Sequence, residues 1–438
     1  MTPLYDVLKE YAQKKPARFH MPGHKGVFLP VPELMSAAAL DVTEISSTGN
    51  LYQRGEPFDT AQHLWAKRFG FDCCQFLTGG STMGIHTALS LCCRPGDQVL
   101  VDRNCHRAVF NALALLDLEP VYLERPWREQ EGIIAHIEPE YVEKTLESHS
   151  KIKTVCITSP TYAGVLSDIS QIGRIVHAHG GKLFVDGAHG AHLPFLGVDA
   201  FRGADVVVVS AHKTLPAMGQ TALLFVNGID EDLVRLHASI HGTSSPSYVL
   251  MASLDAARQW LEDGGAEEYQ KAARRVAALR EKYPCLREDS LALDPTRLTL
   301  CVQDGPAFAG MLERQNVYPE MEDGGHVVLI GTPQDLERNF DRLEEVLEQL
   351  RPFMGACPPL PAPHLPERAL SVRQALFAPS ELRPLEACEG RVAACQIAPY
   401  PPGVPVVAPG EVISKKELAY FAQIGYNVKS EVRIVTSL

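Results

Sequence analysis

The chain has 438 residues, of which 45% are hydrophobic and 21% charged, enough apolar material for about two to four folded units. A lone binding module and a mainly disordered chain are excluded. With 41 Lys+Arg against 53 Asp+Glu the net charge is -12, which argues against a nucleic-acid binder that neutralises phosphates.

The first twenty residues lack the apolar core of a secretory signal, and no run approaches the roughly 18 to 20 apolar residues of a membrane span. No membrane partner is therefore expected. Eleven cysteines include the neighbours Cys73-Cys74 and Cys92-Cys93 but no CxxC pair, a pattern expected of reduced thiols in a cytoplasmic protein.

In chain order, a helix is predicted over 4–12, followed by His-Met-Pro-Gly-His-Lys-Gly at 20–26, which marks a turn or arm. Seven short runs rich in apolar or β-branched residues then begin near residues 75, 98, 120, 154, 182, 205 and 221. Most are separated by segments of helical period, such as the stripe Ile85, Leu89 and Cys92. This alternation predicts an α/β fold with a mostly parallel seven-stranded sheet covered on both faces. The gap 211–220 is too short for a crossover, so the last two strands should run antiparallel.

Beyond Gly264-Gly265 a long helix over 266–282, a strand over 297–302, a helix over 308–315, a strand from 326 and a helix over 333–350 make a second, smaller α/β unit. Residues 352–366 carry six prolines and read as a linker. The expected domains are an arm (1–50), a major domain (51–265), a small domain (266–355) and a turn-rich C-terminal module (367–438).

Three motifs fall at predicted strand ends, where open α/β sheets place ligands. In Leu-Thr-Gly-Gly-Ser-Thr-Met-Gly (77–84), the backbone N–H groups of Gly80, Ser81 and Thr82 open a helix and could cradle a phosphate. The same residues also suit a plain capped turn. In Leu-Phe-Val-Asp-Gly-Ala-His-Gly (183–190), Asp186 ends a buried strand, a costly place for an acid without a partner. In Val-Val-Val-Val-Ser-Ala-His-Lys-Thr-Leu (206–215), Ser210, His212 and Lys213 follow another buried strand. Lys213 could become a neutral nucleophile there, or its head could escape to solvent.

Phosphate cradle, buried carboxylate and strand-end lysine together match the needs of pyridoxal 5'-phosphate: an anchor, a partner for the ring nitrogen and a covalent attachment point. His106, after the second strand, could lie over such a ring or be structural. Metal ligation by His20 with His24, or by Asp186 with His189 and His192, is disfavoured because HExxH and helical spacing are absent. No metal is expected.

The motifs His-Met-Pro-Gly-His-Lys-Gly, Gly-Gly-Ser-Thr-Met-Gly, Val-Asp-Gly-Ala-His-Gly, Ser-Ala-His-Lys-Thr, Ser-Ser-Pro-Ser-Tyr-Val-Leu-Met-Ala-Ser-Leu-Asp (244–255) and Tyr-Pro-Pro-Gly-Val-Pro-Val-Val-Ala-Pro-Gly-Glu (400–411) occur in this order. They resemble the bacterial Orn/Lys/Arg decarboxylase family, in its short form without a receiver-like domain. The resemblance implies the fold-type I, aspartate aminotransferase-like architecture and decarboxylation of arginine, lysine or ornithine with pyridoxal phosphate. It further implies that Lys213 bonds the cofactor, Asp186 pairs with its ring nitrogen and His106 stacks on the ring. Gly80, Ser81, Thr82, Ser210 and His212 would hold the phosphate, with Ala188 and His189 near the ring. Thr243 or Ser244 would reach the phosphate of a neighbouring subunit, making a homodimer with shared sites.

Gly187 and Gly219 depart from the family pattern, which commonly has Glu and a bulkier residue there. Other readings of the same motifs are another pyridoxal-phosphate lyase or aminotransferase, or a silent binder of the cofactor. Glu44 and Glu411 are candidates to read the substrate's distal cation, although both are more simply surface acids.

Overall fold

The structure, a computed structural model, describes every residue except 288–290, 357–361, 363, 399–403, 425–429 and 438. The expected Pro-rich linker and the 400–411 motif therefore lie partly outside the described residues.

Helices α1 (Pro3–Gln13), α2 (Met35–Ala38) and α3 (Phe58–Phe69) lead to strand β1 (Cys73–Leu77) and helix α4 (Gly80–Cys92). Next come β2 (Gln98–Asp102), α5 (Arg107–Leu115), β3 (Glu119–Leu123), the short pair β4 (Trp127–Arg128) and β5 (Ile133–Ile134), and α6 (Pro139–Ser148). The sequence continues through β6 (Thr154–Thr158), α7 (Ile169–Ala178), β7 (Lys182–Asp186), β8 (Val206–Val209), the single turn α8 (Ala211–Thr214) and β9 (Ala222–Val226). Helices α9 (Glu231–His241), α10 (Tyr248–Trp260) and α11 (Ala266–Lys282) follow. All seven predicted strands are present and form one sheet, in the order β1-β9-β8-β7-β6-β2-β3. As the short 211–220 gap required, β8 and β9 pair antiparallel.

The chain divides into two compact units, Met1–Cys92 with Phe184–Tyr269, and Cys93–Leu183 with Gln270–Leu438. In the first, β8 and β9 are wholly buried, which explains why they read as continuous apolar runs instead of alternating ones. Helix α4 lies so close to the sheet that a Cβ on Gly84 would meet Leu77 and Val208 at 2.7 Å. The amino end of the unit is tied down by Asp255, whose Oδ2 accepts from the backbone N–H of Leu4 at 2.9 Å and of Tyr5 at 3.2 Å.

In the second unit β2 pairs parallel with both β3 and β6. Asp102 and Arg125 form a buried ion pair at 2.5 Å, and Asp102 Oδ2 also accepts from Thr158 N–H at 3.1 Å. Further along lie β10 (Arg297–Cys301), α12 (Gly305–Arg314), β11 (Met321–Glu322), β12 (His326–Ile330) and α13 (Leu336–Leu350). Their sheet, β10-β12-β11, is antiparallel and buries Leu298, Leu300, Val327, Phe308 and Phe340 in one core. The C-terminal segment adds α14 (Val372–Phe377), β13 (Ser380–Pro384), β14 (Arg391–Val392), β15 (Val412–Ile413), α15 (Lys415–Gln423) and β16 (Glu431–Val435). Its own core includes Leu385, Ile397, Val407, Phe421 and Ile434. Among the described residues none of the cysteines is in a disulfide, and no helix is long and apolar enough to cross a membrane.

Gly187, the first departure from the family pattern, has a spatial cause. A Cβ there would stand 2.6 Å from the ring of Phe201, which is itself buried. Gly187→Ala should lower the unfolding free energy by about 1–3 kcal/mol through overpacking. Denaturant titration checks this; an unchanged midpoint would mean that the Phe201 ring yields freely.

Candidate active site

Strands β1 and β8 both run antiparallel to β9, with Leu77 opposite Ala222 and Val209 opposite Leu223. Strand β7 is parallel to β8, with Asp186 opposite Val208. The carboxyl ends of β1, β8 and β7 therefore open on one edge of the sheet, the edge at which β9 begins. This is where ligands enter open α/β sheets.

Each strand delivers one part of the site. After β1, Gly80 takes the left-handed backbone (φ +69°) that glycine adopts without strain. Its N–H donates to the Gln220 carbonyl at 2.8 Å, so the open backbone donors of this turn are those of Ser81 and Thr82. Those two stand in the first turn of α4, where backbone N–H groups have no partner within the helix.

After β8 comes Ser210, fully buried, then His212 and the half-buried Lys213. The His212 ring meets the Thr221 carbonyl through Nδ1 at 2.9 Å. The turn at Gln220 and Thr221 thus holds both the Gly80 loop and the Lys213 loop. After β7, Asp186 is buried and its Oδ1 accepts from Ala188 N–H at 3.2 Å. Ala188 and His189 are buried beside it. His189 Nε2 lies 3.0 Å from Lys213 Nζ, which makes it a direct partner of the lysine and not merely a neighbour of a ring.

The remaining expected residues stand elsewhere. His106 caps the amino end of α5 in the second unit, its Nδ1 accepting from Ala108 N–H at 3.2 Å. Thr243 and Ser244 are exposed after α9. Gly219 is exposed, and a Cβ there would meet nothing within 4 Å; nothing in the structure explains that departure. Glu44 is half-buried and accepts from Thr43 Oγ1 at 2.5 Å. Glu411 overturns the expectation of a surface acid: it is fully buried and paired with Arg103 at 2.9 Å.

Pyridoxal phosphate fits these residues. Among the described residues the hydroxyls of Thr78 and Ser210 are buried without a hydrogen-bond partner, a cost of about 1–3 kcal/mol each that an acceptor-rich group at this edge would remove. A left-handed glycine, a helix amino end, a buried acid and an amine complete the donor set the cofactor requires.

The model described as Orn/Lys/Arg decarboxylase, major domain, matches residues 2–308, and the one described as Orn/Lys/Arg decarboxylase, C-terminal domain, matches residues 364–429. The arginine decarboxylases of Bacillus subtilis and Bacillus anthracis are each 30% identical to the chain, over 96% of it and 92% of their own length. The constitutive lysine decarboxylase of Escherichia coli is 24% identical over 94% of the chain and 76% of its own length.

Among solved structures, lysine decarboxylase A from Pseudomonas aeruginosa matches with a TM-score of 0.82 at 20% identity, covering 100% of this chain and 80% of that one. The Escherichia coli constitutive lysine decarboxylase gives 0.81 at 20% identity, covering 100% and 82%. Serine palmitoyltransferase of Sphingomonas wittichii gives 0.57 at 15% identity, covering 73% and 83%. These likenesses establish the fold-type I architecture. Matched over most of its length by the family model, and over nearly all of it by relatives at 30% identity, the chain belongs to the Orn/Lys/Arg decarboxylase family.

Proposed function

We propose that the chain removes CO₂ from a basic amino acid, arginine, lysine or ornithine, leaving the corresponding amine, with pyridoxal phosphate held at the carboxyl edge of β1, β7 and β8. The observation that carries this reading is the placement of Lys213, 3.0 Å from His189, in the turn that follows β8, the strand adjacent to the one that ends in the buried Asp186. In this reading residues 51–265 are the cofactor-binding domain, with 266–355 and 367–438 as smaller modules.

When bound, the cofactor supplies a protonated ring that takes up the electrons of the broken bond between Cα and the carboxylate. Lys213 attaches it and later returns a proton to the substrate's Cα. His189 orients the Lys213 amine through their hydrogen bond. Asp186 keeps the ring nitrogen protonated, each unit of raised pKa corresponding to about 1.4 kcal/mol. Ser81, Thr82, Ser210 and His212 would hold the phosphate, and the family resemblance gives His106 the role of stacking on the ring.

The site is shared between copies. Thr243 and Ser244 are exposed within one chain, and they follow an apolar stripe on α9, where Leu233, Leu236 and Ile240 are 48%, 53% and 65% exposed. A second copy covering that stripe would bring Thr243 or Ser244 towards the neighbour's phosphate. Such a stripe on a soluble helix marks an interface.

Incubation with pyridoxal phosphate and, separately, arginine, lysine or ornithine should release CO₂ and one amine; arginine comes first because near full-length relatives carry that activity in their names. No release from any of the three would remove the decarboxylase reading. Lys213→Ala should cut turnover by about 10²–10⁴-fold and abolish covalent cofactor, and normal kinetics in that variant would contradict the scheme. Leu236→Glu should convert the dimer to monomer in sedimentation and remove turnover with it; an active monomer would refute the shared site.

A further inference from the structure

From the geometry at the end of β2 we infer that Glu411 is a positioning residue, which acts through Arg103 to fix the loop that presents His106. The inference rests on the reading of His106 given under Proposed function. All the residues involved lie within the second compact unit.

The loop from Asp102 to His106 is held at three points. Its start is pinned by buried Asp102, which meets Arg125 at 2.5 Å and accepts from Asn104 N–H at 2.9 Å. Its end is the cap of α5, a helix gripped by the C-terminal segment: Gln396 Nε2 donates to Asn111 Oδ1 and Arg373 Nη1 to the Ala114 carbonyl, both at 2.8 Å. Between these points Arg103 lies 5.5 Å and 5.4 Å from the ring centres of Phe110 and Tyr122. Its guanidinium donates to the carbonyls of Pro405 at 2.5 Å and Val406 at 3.1 Å and to Glu411 Oε2 at 2.9 Å.

Glu411 is set in place before it meets Arg103. The preceding Gly410 (φ +90°) runs so close to the backbone that a Cβ would stand 2.4 Å from the Leu370 carbonyl. The Gly410 carbonyl in turn accepts from Ala369 N–H at 2.8 Å. Glu411 Oε2 also accepts from Ala408 N–H at 2.6 Å.

Burial raises the Glu411 carboxyl above its ordinary range, and Arg103 pulls the other way. A buried pair of this kind adds little net stability, because desolvation offsets its attraction. What it does supply is direction: it commits the Arg103 side chain, and hence the backbone three residues before His106, to one position. Glu411 is fully buried, with Oε2 taken by Arg103 and the Ala408 N–H and with Oε1 lacking a hydrogen-bond partner among the described residues. Displacing a reacting group by about 1 Å can cost up to about a hundredfold in rate.

The test compares pyridoxal-phosphate-loaded wild type, Glu411→Gln, His106→Asn and the double variant, with turnover read on whichever of arginine, lysine and ornithine the wild type uses. Glutamine keeps an acceptor for Arg103 and Ala408 and removes the charge. Glu411→Gln should lower kcat about tenfold with little change in KM, and should speed hydrogen exchange at the amides of residues 103–108 while those of α7 stay as they were. In the His106→Asn background it should add almost nothing, because the two residues act as one unit. Unchanged exchange with normal turnover, or a loss that multiplies in full with that of His106→Asn, would overturn the inference. An unaffected His106→Asn enzyme would overturn the reading of His106 itself, a failure visible without any Glu411 variant. Should Glu411→Gln not fold, Glu411→Asp, which keeps the charge and shortens the reach, should show the same pattern in weaker form, and normal exchange and turnover in it would count against the inference.

Discussion

One strand, β9, runs against its neighbours and by doing so gathers the site. Because β1 and β8 both pair with it antiparallel, their carboxyl ends leave the sheet at the same edge, and β7 joins them in parallel register. The turn that enters β9 then binds both loops, through Gln220 to Gly80 and through Thr221 to His212. The Gly80 loop and the Lys213 loop, far apart in sequence, are thereby referenced to two consecutive carbonyls.

Close packing makes that edge rigid. Gly84 lets α4 press on Leu77 and Val208, and Gly187 lets the chain after Asp186 pass under Phe201. Interiors packed to this density convert small changes of volume into displacement. An acid such as Asp186, buried at the strand end, is consequently held in a fixed place.

Much of this was legible in the sequence. The seven sheet strands stood out because buried parallel strands are continuous apolar runs, and the short gap between β8 and β9 gave their antiparallel pairing. The candidate residues after β1, β7 and β8 stood out because each motif follows its strand directly. The two-residue strands β4, β5, β11, β14 and β15 carry too few residues for any alternation to register. The contact between His189 and Lys213 depends on which strands are neighbours, which no local pattern encodes. Gly187 looked anomalous until Phe201, distant in sequence, was seen to fill its space. Glu411 was misjudged because a charged residue in a turn-rich segment is usually solvated, and its burial against Arg103 is a product of how the C-terminal segment folds onto α5 and β2.

Lys213 is the residue proposed to hold the cofactor. Borohydride reduction of the pyridoxal-phosphate-loaded protein, followed by peptide mapping, tests this most directly. The account expects the cofactor's mass to be fixed on Lys213 alone. Attachment to a different lysine, or none after reduction, would contradict it.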